Sequence, residues 1–439
     1  MIKKISLVAI GLFIATSVFA MDGGMLGATA GSMNGQVGSY DTLGRRYPEG
    51  LPSGLTFYKN YENSTLDPKS LYADYSIGSP VATFTRTNDA THIATYIDDN
   101  GVIKLLGADD SNVPRPNKNY YDATGFHAKR GLMIEAQGTN LVPKSNTIDD
   151  ATWTETNTVA ANADAGSSSP DGTATAPSLT ASAANGTLIL TTAVTAQTYS
   201  VWLKRKTGTG TIQISGDGTN FTTVTVTSSW CRFSDTRASA SQKCGIKIVT
   251  DTDAVYVYGN QYEANPYPTS FIPTTTAAAT RNGETLKYAI SGNRTAAQET
   301  IAIKVQTTGI TAANRYLSTT DTKERRFIYY SGASYMYGNQ TDSAGSVATD
   351  PASTLVANTS YVITGSVQHS NPYANVYVNG SSKNTDAVDD FTNPAWGNYF
   401  YIGGSSTSGS NHIIQSVSIF NRVLSAAEVL ATSDLMGHD

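Results

Sequence analysis

Charge is scarce in this 439-residue chain: only 15% of residues are Asp, Glu, Lys or Arg, and 30 basic against 35 acidic residues leave a formal net charge of -5. That balance lacks the electrostatic footprint of a nucleic-acid-binding protein, and the cluster Lys204, Arg205 and Lys206 reads as one solvated strand end. Cysteine is scarcer still. Cys231 and Cys244 have neither a CxxC spacing nor a histidine neighbour, which disfavours zinc. They lie thirteen positions apart across a turn-rich segment. An exported chain permits a disulfide there, worth about 3 kcal/mol for a loop of that size; the alternative is two buried thiols on neighbouring strands. The five histidines, His92, His127, His369, His412 and His438, show no metal-ligand spacing. GxSxG, HExxH and GxxxxGKS/T are all missing, so the sequence offers no hydrolase elbow, zinc-protease helix or phosphate loop. Beyond residue 20 no apolar run reaches the ~20 residues a membrane-spanning helix needs.

What is present is Thr, Ser, Gly, Asn and 25 Tyr, a composition suited to short strands joined by polar turns. Lys3 and Lys4 precede an apolar run that ends Val18-Phe19-Ala20, the pattern of a secretion signal cut near Met21. A mature chain of this length is expected to hold two or three domains at ~150 residues each. Residues 21–54, rich in Gly, Met and Ser, show no strand or helix period and read as a flexible arm. Residues 55–130 read as a small β cap, with Asn100-Gly101 forming a tight hairpin turn. Arg86, Arg115 and Glu135 are candidates for a buried ion network holding that cap.

Residues 131–276 alternate Thr, Val and Ile strands with Gly, Asn and Asp turns, as a β-sandwich requires. Trp202 and Trp230 sit in strands and read as core, whereas Trp153 follows a turn and is a candidate for exposure. The run YVYGNQYEANPYPTSFIPTT, residues 256–275, reads as the closing edge: Gly259 marks a bulge or close approach, and Pro266, Pro268 and Pro273 lead the chain out. This run, with GLMIEAQGTNLV (131–142), SVWLKRKTG (200–208) and SSWCRF (228–233), resembles the jelly-roll module of phage head-spike and tail-fibre proteins and related carbohydrate-binding proteins. Residues 82–103 resemble the small N-terminal part of that module.

Residues 277–298 read as a linker, and 299–439 as a second sandwich, with its last strand at 412–420 half-buried. Leu424, Ser425, Glu428 and Val429 then have the spacing of a capping box and hydrophobic staple, predicting a short terminal helix. The order NVYVNG, YIGG, QSVSIFNRVLSAAEV resembles the concanavalin A-like, laminin G-like sandwich. The laminarinase-type glycosidases of that fold alternate carboxylates along one strand; here the corresponding strands carry Thr, Tyr and Ser.

Sugar binding needs a flat aromatic and a few amides or carboxylates, often with calcium. Tyr335, Tyr337, Asn339 and Gln340 form one such set, and Trp396, Asn398 and Tyr399, with Phe391 and Asn393, surround a proline-containing turn as another. Asp386, Asp389 and Asp390, or Asp251 and Asp253, are the candidates for calcium. The sequence is therefore expected to fold as an all-β protein: tandem jelly-roll and concanavalin A-like β-sandwiches with a small N-terminal β cap. It is expected to act as a non-catalytic, secreted or cell-surface protein that binds polysaccharide or cell-surface glycan, with self-association through exposed strand edges. A structural component of a phage-like fibre, and a polysaccharide-degrading enzyme, are the alternatives.

Overall fold

The computed structural model describes residues 47–437, apart from 90–91, 116–118, 129–130, 296, 307–313, 319–326, 331–334, 341–344, 351–355, 357–358, 369–372, 388–396 and 405–412. The expected secretion signal and most of the expected arm lie outside these residues. Two strands decide the layout. Gly138–Asn140 and Ala279–Arg281 pair antiparallel, so the chain enters and leaves the jelly roll side by side. The jelly roll is an insertion within the other sandwich.

That second sandwich is built from both ends of the chain. Its first sheet runs Tyr75–Ser76, Leu55–Asn60, Ile413–Phe420, Gln298–Gln306, Ser360–Gln368, Tyr373–Val378, Ser381–Ala387, with Leu132–Met133 also on Ile413–Phe420. Its second runs Gly345–Asp350, Tyr335–Gln340, Phe327–Tyr330, Asn314–Ser318, Tyr399–Ile402, Thr285–Ala289, Ala82–Thr85. Phe57, Ile303, Ile363 and Val417 from one sheet meet Phe84, Tyr288, Ile328 and Phe400 from the other in one core. The expected cap and linker therefore need correcting. Leu55–Asn60 and Ala82–Thr85 complete the two sheets, and Thr285–Ala289 is an interior strand. Isolated, these short runs look like separate pieces because each pairs with a strand more than 100 positions away.

The expected arm also ends sooner than residue 54. Leu51 is buried in a cluster with Tyr75, Leu424 and Val429, and Tyr47 packs on it. The terminal helix forms as expected at Ala426–Met436, with Ser425 as N-cap and the full capping box to Glu428. Ile413–Phe420, expected to be half-buried, is buried at all eight positions. The helix reaches its outer side, where Ser418 Oγ lies 3.9 Å from Met436 Sδ.

The jelly-roll sheet runs Thr158–Asp164, Ala176–Ala181, Ala254–Glu263, Gly186–Thr207, Cys231–Ile248, Ile212–Ser215, Thr222–Val224. Bulges near Thr191 and Ala196 break the two long strands into halves. Leu188 and Leu190 from one half, and Tyr199, Val201 and Leu203 from the other, enter a single core. Cys231 and Cys244 both lie on Cys231–Ile248, free and buried. The expected disulfide does not form: the two free thiols sit on different halves of the bulged strand, opposite Leu203 and Leu190. Trp153 is buried too, at 5% exposure, so its expected exposure is corrected.

Ala254–Glu263 was expected at the edge; instead it pairs on both sides and all ten residues are buried. Val255 and Val257 point into the core. Strict alternation would then send Gln261 and Glu263 inward and Tyr262 outward. Gly259, at φ +66, breaks the alternation, and the register slips between Ser200 and Trp202 opposite it. Tyr262 thereby enters the core, while Gln261 and Glu263 face Thr269 outside it. Only glycine fits here, since a β-carbon would come within 2.7 Å of the Trp202 ring.

Candidate functional site

The sequence-derived candidates separate on the structure. Tyr399 opens the strand Tyr399–Ile402 in the second sheet of the sandwich that carries the insertion, and Asn398 immediately precedes it; both are exposed, with Lys287 Nζ 4.3 Å from the Tyr399 ring centroid. Tyr335–Gln340 belongs to the same sheet, two strands removed from Tyr399–Ile402. Tyr337 pairs with Ile328 in the row that continues through Leu317 and Ile402, and Tyr335 and Asn339 share its parity; Gln340 has the opposite one. Trp396, Phe391 and Asn393 lie outside the described residues, as do Asp389 and Asp390; Asp386 ends up in strand Ser381–Ala387. Among the described residues no group of three potential metal ligands comes together. Asp253 accepts from the Gly210 N–H at 2.7 Å and pairs with Arg205 at 3.3 Å, so it ties its turn to the segment 205–210.

The expected ion network exists and is larger than expected. Arg115 donates through Nε and Nη2 to both oxygens of Glu284, at 2.8 and 2.5 Å, and through Nη2 to Glu135 at 2.8 Å. Arg86 reaches Glu284 at 2.6 Å, and Arg281 lies 3.4 Å from Glu135. Ser270 donates to Glu135 through both its N–H and its hydroxyl, at 2.9 and 2.6 Å. Burial by itself would raise the Glu284 carboxyl; the charges of Arg115 and Arg86 outweigh it and hold the group below the usual range. The network ties residues 86, 115 and 135 to 270, at the exit of the jelly roll, and to 281 and 284, where the chain rejoins the other sandwich. Glu284 and Arg281 carry no sequence signal, because RNGET, residues 281–285, has no period.

Beside this network lies a cavity of about 400 Å³. Its floor is the outer face of the jelly-roll sheet, where Trp202 and Arg232 sit opposite each other in register. Its roof comes from the hairpins Ala94–Ile97 with Ile103–Leu106 and Tyr120–Asp122 with Gly125–His127. The roof is anchored: Thr95 Oγ1 donates to Phe271 O at 2.6 Å, and Tyr121 O–H to Gly101 O at 2.7 Å. Trp202 makes edge contacts with Tyr121 and Phe271, at 6.4 and 5.6 Å between ring centres. Arg232 stacks over the Trp202 ring at 4.3 Å, donating to Thr269 O at 2.8 Å and Ser200 Oγ at 2.9 Å. Its Nε and the Trp202 Nε1 are buried without an acceptor. Trp202 is core-like in burial, as expected, yet it lines a cavity. A signal was present: Arg232 stands between two core residues, Cys231 and Phe233, and so belongs to the face opposite them.

Residues 282–430 match the model of the concanavalin A-like lectin/glucanases superfamily, laminin G type. This part of the chain has the lectin-like β-sandwich fold, to which Leu55–Asn60 and Ala82–Thr85 contribute strands. The similar solved structures include the receptor-binding domain of botulinum neurotoxin type G, 16% identical at TM-score 0.28, over 35% of this chain and 40% of that one. The CBM40 module of the Ruminococcus gnavus IT-sialidase, solved with α2,3-sialyllactose, is 20% identical at TM-score 0.29, over 34% of this chain and 91% of that one. The chain thus spans about 40% of the toxin domain's length. No curated protein matches it in sequence.

Proposed function

We propose that this protein is a secreted, non-catalytic glycan-binding protein whose lectin-like sandwich presents its second sheet to polysaccharide or cell-surface glycan. The observation that carries the reading is the match of residues 282–430 to a lectin family model over the two sheets that share one core. The exposed pair Asn398 and Tyr399 supplies what a sugar needs there, an amide beside an aromatic ring. The pattern at residues 1–20 supports export. A non-catalytic role is supported by Glu135 and Glu284, which share Arg115 as a salt-bridge partner instead of standing apart as acid and base.

The test is binding of the chain from residue 21 to 439 to a polysaccharide and glycan array, with calcium and with chelator. Selective binding that weakens about tenfold in Tyr399→Ala or Trp396→Ala is expected, a typical loss for a stacking aromatic. Loss with chelator assigns calcium to the site. Absence of any binding, or release of new reducing ends from a bound polysaccharide, overturns the reading.

A further inference from the structure

The junction cavity is a second place where a ligand can be held, and its chemistry differs from that of the Tyr399 surface. Around it and the adjoining network stand four guanidinium groups, Arg86, Arg115, Arg232 and Arg281, and three buried carboxylates, Glu135, Glu263 and Glu284. Glu135 and Glu284 are taken by Arg86, Arg115 and Arg281. Glu263 is held by Thr269, whose hydroxyl donates at 2.6 Å and whose N–H donates at 2.9 Å, and by Gln261 at 2.7 Å. Asp122, on the roof, accepts from Thr124 and lies 2.9 Å from His127 Nε2 within its own hairpin. Arg232 is the guanidinium left over. It has two neutral acceptors and an aromatic ring beneath it, and its Nε–H has no acceptor.

A buried or half-buried cation without a carboxylate is costly. Burial pushes the Arg232 guanidinium down to about 10, against the opposing pull of Glu263 and Glu135. The remaining walls combine aromatic side chains, Trp202, Tyr121 and Phe271, with aliphatic and neutral polar ones such as Ile103, Asn119 and Ser234. Apolar and neutral polar walls, together with the one lining guanidinium that has no carboxylate partner, fit a hydroxylated ring that bears a carboxylate. We propose that the junction cavity binds an acidic sugar, a uronic-acid residue, with its carboxylate on Arg232 and its ring against the half-buried Tyr121. The unmet Nε–H is buried, so uptake turns the Arg232 side chain toward the ligand. This site is independent of the lectin-like surface proposed above, and either can fail without the other.

The test uses the chain from residue 21 to 439 with methyl glucuronide, methyl glucoside and acetate, read by isothermal titration and tryptophan fluorescence. Glucuronide is expected to bind at least about tenfold more tightly than glucoside or acetate, as a charge-assisted contact added to ring stacking requires. Arg232→Gln is expected to raise the glucuronide Kd about tenfold, toward the glucoside value. Ser234→Asp provides a variant at an exposed cavity residue, two positions along the same strand face, that sets an internal carboxylate against the ligand's own. It should weaken glucuronide with its thermal unfolding unchanged. Tyr399→Ala should leave this binding intact. Equal affinity for glucoside removes the carboxylate from the proposal, and equal affinity for acetate removes the sugar. No binding, or unchanged glucuronide affinity in both variants, overturns it.

Discussion

Glu284 holds two arginines at once, and little else in the junction can replace it. Glu284→Gln is isosteric but uncharged, leaving Arg86 without its carboxylate and Arg115 with only Glu135. Removing one partner of a buried ion network costs about 3–5 kcal/mol, so a large fall in thermal unfolding temperature is expected. The pH dependence follows from the depressed carboxyl. A depressed group stabilises the fold above its unfolded value of ~4.3 and loses that contribution as pH falls through its folded value. Wild type should therefore lose stability steeply below about pH 4.3, and Glu284→Gln should lack that part of the loss. Parallel acid-unfolding curves for the two proteins would refute this assignment. Gly259 is the other residue on which much depends, because its bulge sends Tyr262 inward and Glu263 outward.

Single elements show how local chemistry and tertiary packing divide the work. The helix Ala426–Met436 starts where its capping box says it should, with Arg422 adding two contacts to Glu428 at 2.9 and 2.6 Å. Arg422 is the main cause that brings the Glu428 carboxyl down to about 2. Ser425→Ala is expected to cost about 1 kcal/mol, the usual worth of an N-cap side chain, measurable by denaturant titration. A loss well under half of that would show that packing of Leu424 and Val429 alone sets the helix start. The strand Ala254–Glu263 is the opposite case. Its alternating pattern was legible, but its interior place depends on pairing with Ala176–Ala181 and Gly186–Thr207, and neither partner is named by local sequence.

At the scale of the molecule, the jelly roll is inserted in a sandwich whose strands come from residues 55–85 as well as from residues 132–133 and 285–420. A fragment of residues 282–439 would lack Phe57, Tyr61, Leu71 and Phe84, each buried in the shared core. Each such side chain contributes about 1.5–3 kcal/mol on burial, and the strands Leu55–Asn60, Tyr75–Ser76, Ala82–Thr85 and Leu132–Met133 would be missing. The fragment is expected to show no cooperative thermal transition, and adding residues 47–89 as a separate peptide should restore one. Circular dichroism of the two mixtures checks this; cooperative unfolding of the fragment alone would show that the N-terminal strands are dispensable.

The all-β character, the hairpin at Asn100-Gly101, the glycine bulge at 259 and the capping box at 425–428 were all determined by local sequence, because each depends on backbone preferences or contacts within a few residues. The ion network was half legible, since three buried-charge candidates were visible while Glu284 and Arg281 lay in a stretch without period. Strand partners, the inserted arrangement, the fate of the two cysteines on one strand and the cavity between Trp202 and the hairpins were decided only by the tertiary structure. The reason is physical: a strand carries its own alternation of faces, but its hydrogen bonds and half of its burial are supplied by chain that can lie hundreds of residues away.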